Sequence, residues 1–221
     1  MAKFRRLVVP GHPHHVTQRG VRRQTTFFDD RDYKTYLKLA SDLLDQSSVE
    51  IWSYCLMPNH IHAVVVPWKP DSLAKFFGPL HKLYAQLTNM RYDWSGHLWQ
   101  ARYFSVPMDE SHTLTALRYV ELNPLRSGLV EDPRAWPWSS TRGNLGLVDD
   151  PLIPDRLARK IVPDWADYLS CPEDLTSLKR LRHQTNTGRP QGDRAFIDKI
   201  EAITGRKVRP QKVGRRNKLG D

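Results

Sequence analysis

Residues 49–67, VEIWSYCLMPNHIHAVVVP, hold two β-forming runs separated only by Pro58 and Asn59. The first carries Ile51, Trp52, Tyr54 and Leu56, and the second is almost entirely branched or small apolar residues. Runs of this kind favour strands, and a Pro-Asn pair breaks a strand rather than continuing it. Two neighbouring antiparallel strands are predicted, and the rest of the chain has to cover them. Within the second strand alternate side chains share a face, so His60 and His62 project together while Ile61 turns the other way, into apolar packing.

The flanking sequence supplies partners. HHVTQRG, His14 to Gly20, alternates polar and β-forming residues and ends at a glycine, as a strand does. Asp29 and Asp30 offer N-cap chemistry to a helix in which Tyr33, Tyr36, Leu37, Ala40, Leu43 and Leu44 recur at helical spacing. Asp71 and Ser72 open a second helix with Leu73, Phe76, Phe77, Leu80, Leu83, Tyr84 and Leu87 on one face, and Gly78-Pro79 is expected to kink or interrupt it. His97 to Met108 reads as a strand or hairpin arm. Ser111 is expected to open a third helix, which Pro124 stops. Strand, helix, strand, strand, helix, strand, helix predicts an α+β fold, ferredoxin-like in outline, with a mainly antiparallel sheet covered by helices.

The expected organisation is a domain over residues 1–145, a helical wrapping extension over 146–186, and a basic C-terminal tail with a short helix over 187–221. Charge sharpens this division. Of a net charge of +10, the segment 179–221 contributes thirteen Lys and Arg against four Asp and Glu, leaving 21 basic and 20 acidic residues for 1–178. A basic tail on a near-neutral body suits a polyanion, nucleic acid foremost and an anionic membrane surface second, or serves only as a solvated tail. No apolar run reaches membrane-spanning length and the N-terminus lacks a signal-type apolar region, so a cytoplasmic protein with no membrane association is expected. Cys55 and Cys171 stand far apart and match no paired metal spacing, so neither a disulfide scaffold nor a zinc ribbon is suggested and two reduced thiols are expected.

Two imidazoles side by side form a clamp that suits a divalent metal, although the same spacing also occurs in surface or satisfied core histidines. Further along, in RYVELNP, Tyr119 and Asn123 lie about 40° apart on a helix, with Leu114 and Leu117 roughly opposite. A phenol oxygen is a competent nucleophile toward phosphorus when a metal withdraws charge from the phosphoryl oxygens, and Asn123 could lend that metal a neutral oxygen. The plainer readings are a tyrosine at a helix–sheet seam and an asparagine capping a helix end. Arg5 and Arg6 before the first strand, with Arg19, Arg22 and Arg23 after it, form a candidate basic rim for phosphates, and Arg215 and Arg216 a candidate DNA-binding arm. Trp99, Tyr103 and Phe104 either stack bases or belong to the core. Of His14 and His15, one is expected on the sheet surface that carries the clamp.

HVTQRG, MPNHIHAVVVP, LWQARY, RYVELNPLRSGLV and WPWSS, in this order, resemble the single-tyrosine transposases of the HUH superfamily, and among them the REP-associated tyrosine transposases, over residues 4–141. The resemblance implies a ferredoxin-like sheet and a Mg²⁺- or Mn²⁺-dependent single-strand DNA endonuclease and strand transferase acting on hairpin-containing DNA. It implies His60, His62 and Asn123 as metal ligands and Tyr119 as the nucleophile of a 5′-phosphotyrosine intermediate, in a monomer or a homodimer. The alternatives are a DNA-binding regulator on the same fold without catalysis, and a hydrolase that uses a metal-bound water.

Overall fold

The computed structural model describes residues 6–172, 174, 176–179, 181 and 187–209. Among these residues, β1 (His14–Arg19), β2 (Val49–Met57), β3 (His60–Pro67) and β4 (Phe104–Pro107) form one sheet in the order β2-β3-β1-β4. Every neighbouring pair is antiparallel. With α1 (Asp30–Ser47) between β1 and β2, and α2 (Ser72–Tyr92) between β3 and β4, this is the ferredoxin-like α+β arrangement that the sequence pattern predicts. Pro58 and Asn59 join β2 to β3, whose first pair is Met57 with His60.

Strand alternation sorts the sheet into two packed faces. Val16, Ile51, Ile61, Ala63 and Val65 meet Tyr33, Tyr36 and Ala40 of α1 and Leu73, Phe76, Phe77, Leu80 and Tyr84 of α2. Cys55, Met57 and Val64 meet Ala116, Leu117, Tyr119 and Val120 of α3 (Glu110–Glu121), together with Trp165, Leu178 and Leu181. Ile61 is buried against the first set, and the histidines flanking it turn toward α3. Asp29 caps α1 as expected, its carboxylate accepting from the backbone of Arg31 and Asp32.

Three boundaries differ from the sequence expectation. First, α2 runs unbroken through Pro79: Phe76, Phe77 and Leu80 anchor the helix on both sides of the proline, and exposed Lys75 bears the lost hydrogen bond at the solvent side. Second, Asp109, not Ser111, caps α3, accepting from the His112 N–H at 2.8 Å, and Pro124 does not simply end it. The chain turns at Leu122 into α4 (Asn123–Arg126), where the proline stands in the first turn and its missing N–H is not needed. Third, only residues 104–107 pair as a strand. Trp99 and Tyr103 are drawn inward instead, the Trp99 indole donating to the His81 carbonyl.

The later residues wrap this unit. Residues 136–140 run beside β2, with Leu56 N–H donating to Trp138 O and Ser140 N–H to Tyr54 O, and the short α5 (Thr141–Asn144) follows. Beyond α6 (Trp165–Ser170), Gln191 lies beside β4, donating to Pro107 O and accepting from Asp109 N–H. Then α7 (Arg194–Thr204) places Ile200, with Val208, against Leu7 and Val9. No helix among the described residues is long and apolar enough to cross a membrane.

Candidate active site

The β1–β3 register sets Thr17 opposite His62 and Arg19 opposite His60, all on the face that looks toward α3. There they line a cleft of about 700 Å³ together with His15, Arg23 and Tyr119. Phe104 of β4, Gln100 and Leu181 complete its walls.

Hydrogen bonds decide which ring atoms are available. The Asn59 amide nitrogen donates to the Arg23 carbonyl at 3.0 Å, which turns its oxygen to His60 Nδ1 at 2.6 Å. An amide oxygen only accepts, so the His60 proton sits on Nδ1 and Nε2 carries a lone pair. His62 Nδ1 lies 3.0 Å from His15 Nε2, while His62 Nε2 is buried with no partner. A buried imidazole nitrogen left unmet is unfavourable, and a cation at that point satisfies it if the proton resides on Nδ1. Burial, reinforced for His60 and His62 by nearby positive groups, holds the rings neutral: His60 is lowered to about 3, His15 to about 4, and His62 well below the ordinary range. The two clamp residues therefore present neutral nitrogen donors, the form that binds metal.

Tyr119, in the last turn of α3, meets the His62 ring edge-on with centroids 5.2 Å apart. The Arg126 guanidinium lies 4.4 Å over the other part of the arrangement, the tyrosine ring, and donates to the Tyr119 carbonyl at 2.7 Å. Asn123 is buried one turn on, at the start of α4, with its amide nitrogen unpartnered; it is not among the residues lining the cleft. Among the described residues no three His, Cys, Asp or Glu side chains are grouped to hold a metal. The clamp donors lining the cleft are two imidazoles, a set that fits a divalent cation only when further oxygens, from substrate, water or the Asn123 carboxamide, complete it.

Of the other residues singled out in the sequence, Arg19 and Arg23 reach the cleft and Arg22 is exposed beside it. Arg6 lies elsewhere, its guanidinium 3.7 Å over the Tyr103 ring and donating to the Tyr103 carbonyl. Arg5, Arg215 and Arg216 lie outside the described residues. Tyr103 is core, whereas Phe104 faces the cleft. Of the two adjacent histidines, His15 joins the clamp and His14 points away, bonded to the backbone of Val9 and His12. Arg126 had no sequence signal of its own beyond standing two turns after Tyr119.

The family profile described as "Transposase IS200 like" matches residues 9–123. A Haemophilus influenzae protein provisionally named a REP-associated tyrosine transposase is 31% identical over 103 residues, 41% of this chain and 58% of that relative, so the match spans little more than half of the relative's length. A solved REP-associated tyrosine transposase, bound in that structure to a REP hairpin, superposes with a TM-score of 0.54 at 18% identity, over 67% of this chain and 88% of the other. That likeness is one of fold.

Proposed function

The chain belongs to the IS200-like transposase family, and from that premise we propose that it is a REP-associated type of tyrosine transposase, a divalent-metal-dependent single-strand DNA endonuclease and strand transferase acting on hairpin-containing DNA. The observation that carries the reading is the convergence of Tyr119 and the two neutral histidines on one cleft rimmed by Arg19 and Arg23.

In this mechanism Arg19 and Arg23 draw the phosphodiester into the cleft and hold it there. His60 and His62 would hold Mg²⁺ or Mn²⁺ through their Nε2 lone pairs, with the Asn123 amide and substrate oxygens completing the set. When bound there, such an ion would supply Lewis-acid withdrawal of charge from the phosphoryl oxygens. The Tyr119 oxygen forms a bond to phosphorus as the bond to the 3′-oxygen breaks; the phenol loses its proton and the departing oxygen gains one. The products are a 5′-phosphotyrosine and a free 3′-hydroxyl, and attack by a 3′-hydroxyl on the phosphotyrosine rejoins a strand and releases the phenol. Contacts of the Tyr119 ring with His62 and Arg126 restrict its rotation, which lowers the entropic cost of positioning the nucleophile.

The test is a single-stranded hairpin oligonucleotide labelled on the 3′ side of the cut and incubated with Mn²⁺. The label is expected to become covalently attached to the protein, and Tyr119→Phe to abolish attachment with DNA affinity within about twofold. A free 5′-phosphate with no adduct would assign the chemistry to a bound water, and binding without any cleavage would make the protein a regulator; either result overturns the reading.

A further inference from the structure

The turn after β1 is strained. Arg22 and Arg23 both have left-handed backbone conformations, with φ of 52° and 62°, in consecutive positions that side chains other than glycine seldom occupy. The strain is held by a dense local network: Gly20 N–H donates to Asn59 O, Gln24 N–H to Val21 O, and the Asn59 amide to Arg23 O. Gly20 itself has no room for a Cβ, which would stand 2.3 Å from the Gln24 carbonyl oxygen. Strain kept in place so firmly calls for a use, and the consequence visible in the fold is the position of Arg23. Arg23 lines the cleft that holds Tyr119 and also a second cleft, of about 710 Å³.

Phe28 and Trp94 line this second cleft, together with polar Gln24, Asn89 and Ser95. Phe28, Tyr92 and Trp94 form a mutual cluster, with ring centroids 4.8, 5.4 and 4.9 Å apart, yet Phe28 is 38% exposed and Trp94 49% exposed. Of the carboxylates on the adjoining elements, Asp29 and Asp32 are both held by Arg91, and exposed Asp93, between Tyr92 and Trp94 in the chain, is not among the residues that line the cleft. Partly exposed aromatic rings, beside an arginine that also borders the Tyr119 cleft, match the chemistry by which unpaired bases are held: stacking for the base, a cation for the backbone.

We propose that the Phe28–Trp94 cleft takes unpaired nucleotides of the DNA strand continuous with the phosphate in the Tyr119 cleft, with Arg23 holding the backbone where the strand passes from one cleft to the other. The inference rests on the proposed activity for its substrate, and it adds a stacking subsite and a path. Base-paired DNA does not satisfy it, because a paired base keeps its faces within its own helix.

The test uses the full chain carrying Tyr119→Phe, so that no cleavage intervenes, and three fluorescent DNAs: a blunt hairpin and the same hairpin with four unpaired thymidines on either its 5′ or its 3′ side. One extended hairpin is expected to bind more tightly than the blunt one. Adding Trp94→Ala is expected to weaken that DNA by roughly fivefold to a hundredfold, with the blunt hairpin changed less than twofold. Phe28→Leu, which keeps an apolar side chain at its position, is expected to do the same to a smaller extent, and melting temperatures within a few degrees of the parent show that the variants fold. Equal weakening of all three DNAs, no weakening of any, or no binding at all overturns the proposal. Failure of covalent attachment by the parent protein would instead strike the catalytic reading and leave this comparison of affinities standing.

Discussion

At the scale of single residues, the clamp is built from more than its two histidines. His15 reaches across the β1–β3 ladder to His62 Nδ1, and the bond decides which His62 nitrogen faces the cleft. A hydrogen bond to the far nitrogen of a ligating imidazole orients the ring and raises its basicity, and removing it typically lowers metal affinity about 10- to 100-fold. His15→Ala is therefore expected to weaken Mn²⁺ binding by that factor, measured by electron paramagnetic resonance of free Mn²⁺, and His15→Gln to recover part of it. An unchanged affinity would leave His15 a packing residue. The pair His60 and His62 was legible in the sequence because strand alternation acts over two residues. The partnership of His15 with His62 was not, because a register between residues 47 apart is settled by tertiary packing. Asn123 shows the limit of a helical wheel: four residues after Tyr119 it belongs to a new helix, and the wheel's geometry stops at Leu122.

At the scale of elements, the position of Tyr119 depends on how α3 is fastened. Two residues beyond the tyrosine, Glu121 is fully buried, and one carboxylate oxygen accepts from Ser53 of β2, Ser140, and Asn144 of α5. Burial raises this carboxyl despite those donors. Truncation to alanine removes the acceptor that Ser53, Ser140 and Asn144 share, while Ser140 and Asn144 keep second acceptors in the Tyr54 and Trp52 carbonyls, so Glu121→Ala is expected to destabilise the protein by about 2 kcal/mol, read from the denaturant midpoint at neutral pH. A loss under 1 kcal/mol would mean that the donors find water. The WPWSS motif takes its physical meaning here: Ser140 serves Glu121, Trp136 donates to Leu56 O, and Trp138 stacks on Tyr33 with centroids 4.7 Å apart. Elements with strong local codes, such as the hairpin and the Asp29 cap, were readable in the sequence. The start of α3 was not, because Asp109 and Ser111 are equally good caps locally and only the folded chain chooses, with Asp109 also accepting from Asp193 N–H.

At the scale of the whole molecule, burial of neutral histidines makes stability depend on pH. Away from the cleft, His14 accepts from Val9 N–H on one nitrogen and donates to His12 O from the other, and burial lowers it to about 4. His81, beside the Tyr36 hydroxyl, is lowered to about 3, again by burial. The unfolded chain takes up these protons near pH 6.5 and the folded one far below, so the stabilisation is complete above about pH 6.5. It is lost as pH falls toward 4, at about 2 kcal/mol for each histidine by pH 5. Denaturant midpoints are expected to drop between pH 7 and 5, and His81→Gln, which cannot titrate, to flatten that drop; a flat profile in the parent would contradict it. The wrapping segments bear on assembly. A sheet with bare outer strands invites another chain to add to it, but here residues 138–140 already bond to the outer side of β2 and Gln191 to that of β4. A second copy cannot extend the sheet at those positions without first peeling away one of these segments, and the one beside β2 is also the one that holds Glu121 and, through it, the helix of the tyrosine.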